Sequence, residues 1–272
     1  MWTEIFSYNF MIFAFIIGGL VAFVTALISP FIVLNNQSML ADGLAHTSFL
    51  GFVIGVILVD QPIYIALLIA AIASVLIKFI ATKASINNDA AIGVISSLSF
   101  AIGLIIISLS SGFNVSIESL MAGSLLTTTQ NDIIITSVLA VITIAFVLIF
   151  YRHLYQNVFD KENIVISRKK AILLDYSLSM ISALIIVIGV KIVGALLVSS
   201  LIIFPTLIAS QFKKSFKATI IISVIVSVVT MFVSIYISYP LDLPSSSTLV
   251  VLNALVLLAA YLFNLIKRRV KR

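Results

Sequence analysis

An aspartate and a histidine four residues apart, Asp42 and His46, interrupt the apolar stretch Met39-Leu-Ala-Asp-Gly-Leu-Ala-His-Thr-Ser-Phe-Leu-Gly51. Residues at this spacing share one helix face, close enough to bind one ion or each other. Inside a membrane segment an ionisable side chain costs roughly 2.5–3.5 kcal/mol on insertion scales, so a functional role is the default explanation. Carboxylate oxygen with imidazole nitrogen suits zinc, manganese or ferrous iron better than calcium or magnesium, which prefer all-oxygen sites. Spacing leaves two readings open. Either the pair binds a metal, or Asp42 accepts a hydrogen bond from His46 and merely anchors a helix near an interface. Two ligands are too few for a closed site, since zinc usually takes four. A homodimer would bring a second pair across its axis.

Other chemistry is thin. Ala41, Gly43, Ala45, Thr47, Ser48 and Gly51 flank the pair and permit close helix approach. His153, the only other histidine, lies just past an apolar run in a basic segment and carries no metal role. Lys191 is expected to snorkel to the headgroups, and Pro205 to kink its helix. No Gly-x-Ser-x-Gly serine accompanies Asp42 and His46, which argues against an intramembrane enzyme. No phosphate-cradling Gly-rich loop ends in Lys-Ser or Lys-Thr, so energy from ATP has to come from a partner. There are no cysteines, which excludes disulfides, thiolate sites and a lipid anchor on Cys.

The elements that position the pair follow from composition. Of 272 residues 62% are hydrophobic and 10% charged, against roughly 25% charged in a soluble domain. Runs of the roughly 20 apolar residues needed to cross a bilayer recur from end to end. Backbone in lipid satisfies its own hydrogen bonds, and no period-2 alternation indicates a membrane barrel. The chain therefore reads as one all-α, polytopic transmembrane bundle over residues 1–272. Nine spans are expected: Phe10–Leu34, Met39–Leu58, Ile63–Ala81, Ala91–Ser110, Ile133–Tyr151, Ile172–Val190, Val193–Ser210, Ala218–Ile237 and Thr248–Ile266. The turn Gly189-Val-Lys-Ile-Val-Gly194 is very short, so a broken or re-entrant sixth or seventh segment would leave eight crossings. Met1–Phe10 lacks a basic n-region and a cleavage site, and is expected to be retained.

Charge sets the orientation. With nine crossings and a cytoplasmic C-terminus, the basic loops fall on one side, and of the 16 basic residues only Lys191 falls outside. The N-terminus is then external, with Glu4, Asp60, Glu118, Asp132 and Asp242 facing outward. The net charge of +6 reflects this topology rather than nucleic-acid binding. In the outer connection, Ile117–Leu126 is a candidate short helix lying on or dipping into the membrane, and Thr127–Asp132 offers caps for the fifth span. The inner connection Arg152–Lys170 contains Asn157-Val-Phe-Asp-Lys-Glu-Asn-Ile-Val165, which is either a docking surface for a cytoplasmic partner or a solvated basic loop.

Several motifs, in order along nearly the whole chain, resemble the permeases of the manganese/zinc/iron chelate uptake class of ATP-binding-cassette importers. Phe31-Ile-Val-Leu34 followed by Ser38-Met-Leu-Ala-Asp-Gly-Leu-Ala-His46 is similar to the hallmark that opens the family's second helix. Asn87-Asn-Asp-Ala-Ala-Ile-Gly-Val94 resembles the opening of its fourth helix, and Ser119-Leu-Met-Ala-Gly-Ser-Leu-Leu126 its external segment. Val193-Gly-Ala-Leu-Leu-Val198 with Leu201-Ile-Ile-Phe-Pro205 resembles its Val-Gly-x-Leu-Leu and Leu-Ile-x-x-Pro. Asn35-Asn36 stands where the family often has Arg, and Ala41 replaces its usual Gly.

The resemblance implies a bacterial cell-membrane permease that does no covalent chemistry. Two copies would form a pathway, dock on cytoplasmic ATP-binding-cassette ATPases and receive metal from an external solute-binding receptor. It further implies metal coordination by Asp42 and His46, ATPase docking at Phe159 and Asp160, and no permanently bound cofactor. The transported ion is expected to be zinc or manganese, which Asp with His accommodates alike, with a lean to zinc. A secondary cation transporter or channel is the rival, favoured by several buried carboxylates and inverted repeats; the sequence shows one intramembrane aspartate and no convincing repeat.

Overall fold

Lipid offers backbone groups no hydrogen-bond partners, so an apolar chain closes its bonds within helices. The computed structural model, which describes residues 9–59, 61–84, 86–110, 129–159, 168–241 and 243–270, follows that rule. Among the described residues there are nine helices: α1 Asn9–Val33, α2 Leu40–Leu58, α3 Pro62–Lys83, α4 Asn88–Leu109, α5 Gln130–Phe159, α6 Arg168–Val193, α7 Ala195–Gln211, α8 Phe216–Leu241 and α9 Ser245–Val270. Each expected span falls on one of them, in order. Eight are long and apolar enough to cross a membrane. The exception is α7, whose 17 residues extend about 26 Å, against a hydrocarbon core of about 30 Å. The candidate helix Ile117–Leu126 lies outside the described residues.

Most helix ends lie within four residues of those expected, and two features depart from the reading. Helix α5 continues eight residues past Tyr151, through Phe159. Its 30 residues reach about 45 Å, so one end projects beyond the hydrocarbon. The expected turn Gly189–Gly194 is instead the last turn of α6 plus a single residue. Only Gly194 separates α6 from α7, at φ 95°, a conformation that glycine adopts without a Cβ penalty. Gly189 is a packing position, where a Cβ would meet the Val198 side chain at 2.6 Å.

Small residues and hydroxyls join the helices. Helix α2 packs between α3 and α4, and α1 against α5, α7 and α8. A Cβ on Gly43 would overlap Ile92 of α4, and one on Gly51 would overlap the Ala66 backbone of α3. The small residues flanking Asp42 and His46 thus let α2 approach both neighbours closely. Hydroxyls stitch α1, α7 and α8. Ser29 bonds the Ile202 carbonyl and the Thr206 hydroxyl, Ser227 donates to the Ala22 carbonyl at 3.0 Å, and Ser223 donates to the Pro205 carbonyl at 3.2 Å. Pro205 lies inside α7, where it has no N–H to give the Leu201 carbonyl.

Two ion pairs clamp opposite ends of the bundle, and both correct the sequence reading. Lys191 does not snorkel freely, because its Nζ donates to Asp132 Oδ1 at 2.6 Å. Asp132, expected to face outward, is 4% exposed. Its Oδ2 also accepts from the Thr129 backbone N–H at 3.0 Å and from the Thr129 hydroxyl at 2.9 Å, forming a capping box at the start of α5. At the other end Lys78 of α3 donates to Asp175 Oδ2 of α6 at 2.8 Å, and Asn157 of α5 to Asp175 Oδ1 at 3.2 Å. Asp42 is therefore not the only aspartate in a membrane-length helix.

An aromatic cluster marks the same end as Lys78. Phe31 of α1, Tyr151, Tyr155 and Phe159 of α5, and Phe216 of α8 pack with ring centroids 5.0–6.5 Å apart. Lys217 Nζ sits 5.6 Å from the Tyr151 ring centroid. Amphipathic rings beside basic residues are the composition of a membrane interface.

Candidate metal pathway on helix α2

The turn from α1 into α2 is fixed by asparagine. Asn36 adopts φ 57°, a left-handed conformation that asparagine tolerates better than most residues. Gln37 N–H donates to the Ile32 carbonyl at 3.1 Å and Asn36 N–H to the Val33 carbonyl at 3.3 Å. These bonds make a Schellman closure of α1, with Asn in the position usually taken by Gly. The Asn35-Asn36 departure thus has a structural role. Helix α2 then starts at Leu40 and carries Asp42 in its first turn, where the helix dipole favours a negative charge.

Helix α2 is buried along most of its length, and its open positions are few. Between Leu40 and Gly55 every residue is buried except Asp42, His46 and Ile54. Asp42 is exposed and His46 half-buried. The imidazole stands edge-on to Phe100 of α4, with ring centroids 5.0 Å apart. Its Nδ1 is buried and has no hydrogen-bond partner. A buried polar atom without a partner costs about 1–3 kcal/mol, and a metal ion or water would relieve it. Among the described residues no hydrogen bond or ion pair joins Asp42 to His46, so the anchoring pair that spacing left open is not formed.

One copy does not complete a metal site. Among the described residues no group of three or more His, Cys, Asp or Glu could hold an ion. Of the other carboxylates in the described helices, Asp132 is engaged by Lys191 and Asp175 by Lys78, while Asp89 is exposed in the first turn of α4. At the Asp132 end a cavity of about 300 Å³ is lined by Gln61, Thr129, Asn131, Asp132 and Lys191 together with apolar residues. Phe159 is the exposed last residue of α5 and rests on Tyr155 and Phe216 at 5.0 and 5.3 Å. Asp160 lies outside the described residues. His153 stays away from Asp42 and His46, and lines an apolar groove between α3, α5 and α6.

Sequence reasoning missed Asp175 and the pairing of Asp132 with Lys191. The partners are 97 and 59 residues apart, beyond any local spacing rule. An aspartate within the apolar run Ile172–Val190 was the only available signal.

Comparison with known proteins places the chain in context. The family model described as "ABC 3 transport family" matches residues 7–264. A manganese transport system membrane protein, MntC, of Listeria monocytogenes is 27% identical over 258 residues, covering 94% of this chain and 91% of the relative. A high-affinity zinc uptake system membrane protein, ZnuB, of Buchnera aphidicola is 27% identical over 199 residues, covering 73% of this chain and 76% of the relative. The structure of PsaBC from Streptococcus pneumoniae in complex with Fab has the same fold, with a TM-score of 0.81 at 22% identity, covering 95% of this chain and 93% of that one.

Proposed function

The chain belongs to the ABC 3 transport family, and on that premise we propose that it is the membrane permease subunit of an ATP-driven importer of zinc or manganese in a bacterial cell membrane. One observation carries the reading: the stretch of α2 that is otherwise buried opens at Asp42 and His46. A carboxylate facing lipid would be costly, so this strip faces another chain or a water-filled path. A second copy of the chain across that strip supplies two more ligands, completing a four-donor site. The relatives named for zinc and for manganese match the donor chemistry, which accepts either ion. Zinc is the cargo proposed first; raw affinity does not decide between the two, since selectivity rests on geometry, ligand type and metal supply. Radioactive zinc and manganese accumulation, compared between cells deleted for this chain and complemented cells, tests the reading. Loss of one metal's accumulation is expected on deletion, and unchanged accumulation of both contradicts it.

Energy comes from a separate cytoplasmic ATPase, and an external receptor delivers the ion. The basic end of the bundle faces the cytoplasm, with the N-terminus outside. Helix α5 projects from that end and presents Phe159, followed in sequence by Asp160, as the ATPase contact. Replacing Phe159 and Asp160 by Ala is expected to reduce copurification of the ATPase while the permease still elutes as an assembled species. Tyr155→Leu, which disturbs the same aromatic cluster without removing the projecting residues, is the control. Undiminished copurification of the double variant excludes this contact.

A further inference from the structure

A groove of about 960 Å³ runs between α3, α5 and α6 on the surface of the bundle. Its body is apolar, lined by Val75, Ile142, Phe146, Phe150, Leu173 and Met180 among others. One end is different, because His153 of α5 and Lys170 of α6 line it there. The two helices run antiparallel, so His153 to Ile142 on one wall and Lys170 to Ile181 on the other cover the same direction. Each stretch is eleven positions long, about 16 Å of helix. That is the depth of one leaflet, half of a hydrocarbon core of about 30 Å. We infer that this groove binds one anionic phospholipid of the leaflet at the basic end, its phosphate held by Lys170 and His153 and an acyl chain laid along α5 and α6.

The charges at that end support an anion. The carboxylate that α6 carries, Asp175, has Lys78 and Asn157 on its two oxygens. Lys170 is exposed and makes no ion pair among the described residues, while Arg152 and Lys169 add positive charge nearby. His153 is only half-buried and lines the groove beside Lys170, so its imidazole can meet a phosphate there. In the dimer proposed above, the second copy lies at the Asp42 and His46 strip, beside α4. Basic pockets between membrane helices on the cytoplasmic side are known receivers of acidic headgroups.

The chain has one tryptophan, Trp2, so a reporter is easily placed. In a Trp2→Phe background, Met180→Trp puts the only indole on the groove wall, at a position already 43% exposed. The full chain is placed in bilayers containing phosphatidylglycerol or phosphatidylcholine brominated along the acyl chains. Phosphatidylglycerol is expected to quench at a mole fraction lower by roughly fivefold per engaged cation, and Lys170→Gln with His153→Gln removes the preference. Equal quenching by the two lipids reduces the groove to ordinary annular contact, and no quenching by either shows that protein covers it; both results overturn the assignment. If Met180→Trp does not elute as folded protein, Ile142→Trp on the facing wall gives the same reading.

Discussion

Asp42→Asn and His46→Ala each lower metal uptake by about a hundredfold or more, while the complex still assembles and still splits ATP. The size follows from coordination chemistry, since loss of even an outer partner of a metal ligand costs 10–100-fold in affinity or activity. The structure explains why folding is spared. Asp42 is exposed in the single chain and makes no hydrogen bond among the described residues, so the substitution removes no packing. His46 gives up one edge contact with Phe100, worth about 0.5–1.5 kcal/mol. Uptake of radioactive metal, divided by the amount of assembled protein recovered by size exclusion, separates the cases. Normal uptake by assembled variants eliminates the metal role, and a loss of protein in step with the loss of uptake makes the pair structural.

The second large effect belongs to the clamp between α3 and α6, and it is asymmetric. The side chains of Lys78 and Asp175 are 5% and 29% exposed respectively. Asp175→Leu leaves a buried ammonium without its anion, an arrangement that costs about 3–5 kcal/mol. Lys78→Met leaves a carboxylate that still reaches solvent and still accepts from Asn157, so its cost is about 1–3 kcal/mol. Combining Lys78→Met with Asp175→Leu removes both charges and recovers much of the loss, because apolar replacement of a buried pair is often neutral. Thermal loss of the monodisperse chromatographic peak gives the order. The expected ranking is wild type, then the double variant, then Lys78→Met, then Asp175→Leu. A fully stable Asp175→Leu protein that fails in transport would instead place Asp175 on the ion's path.

How far the sequence disclosed this molecule depended on the range of each signal. Lipid forces helices, so apolar runs located all nine in order, because a long run has no alternative way to bond its backbone. Helix ends were less legible. The polarity that ends a span at Tyr151 does not end hydrogen bonding, and α5 continues to Phe159 through turns that bury Leu154 and pack Tyr155 and Phe159 against Phe216. Gly189 looked like part of a turn, although its purpose is to admit the Val198 side chain. Asp42 and His46 were legible because their relation is local, four positions on one helix. What spacing could not decide was whether they bond each other, and the open strip on α2 could only come from the packing of α3 and α4 around it. The pairs Asp132–Lys191 and Lys78–Asp175 join residues far apart in the chain, so their charges read as loop decoration and topology markers until the helices were assembled.

The central claim is that this chain carries a transition-metal ion through Asp42 and His46 at the expense of ATP split by a partner. The most direct measurement is made in proteoliposomes holding the permease with its ATPase, with ATP on the ATPase side and metal-loaded receptor on the other. Zinc or manganese is expected to accumulate only when ATP is present, and Asp42→Asn vesicles to accumulate none while still hydrolysing ATP. Accumulation without ATP, or undiminished accumulation by assembled Asp42→Asn protein, would contradict it.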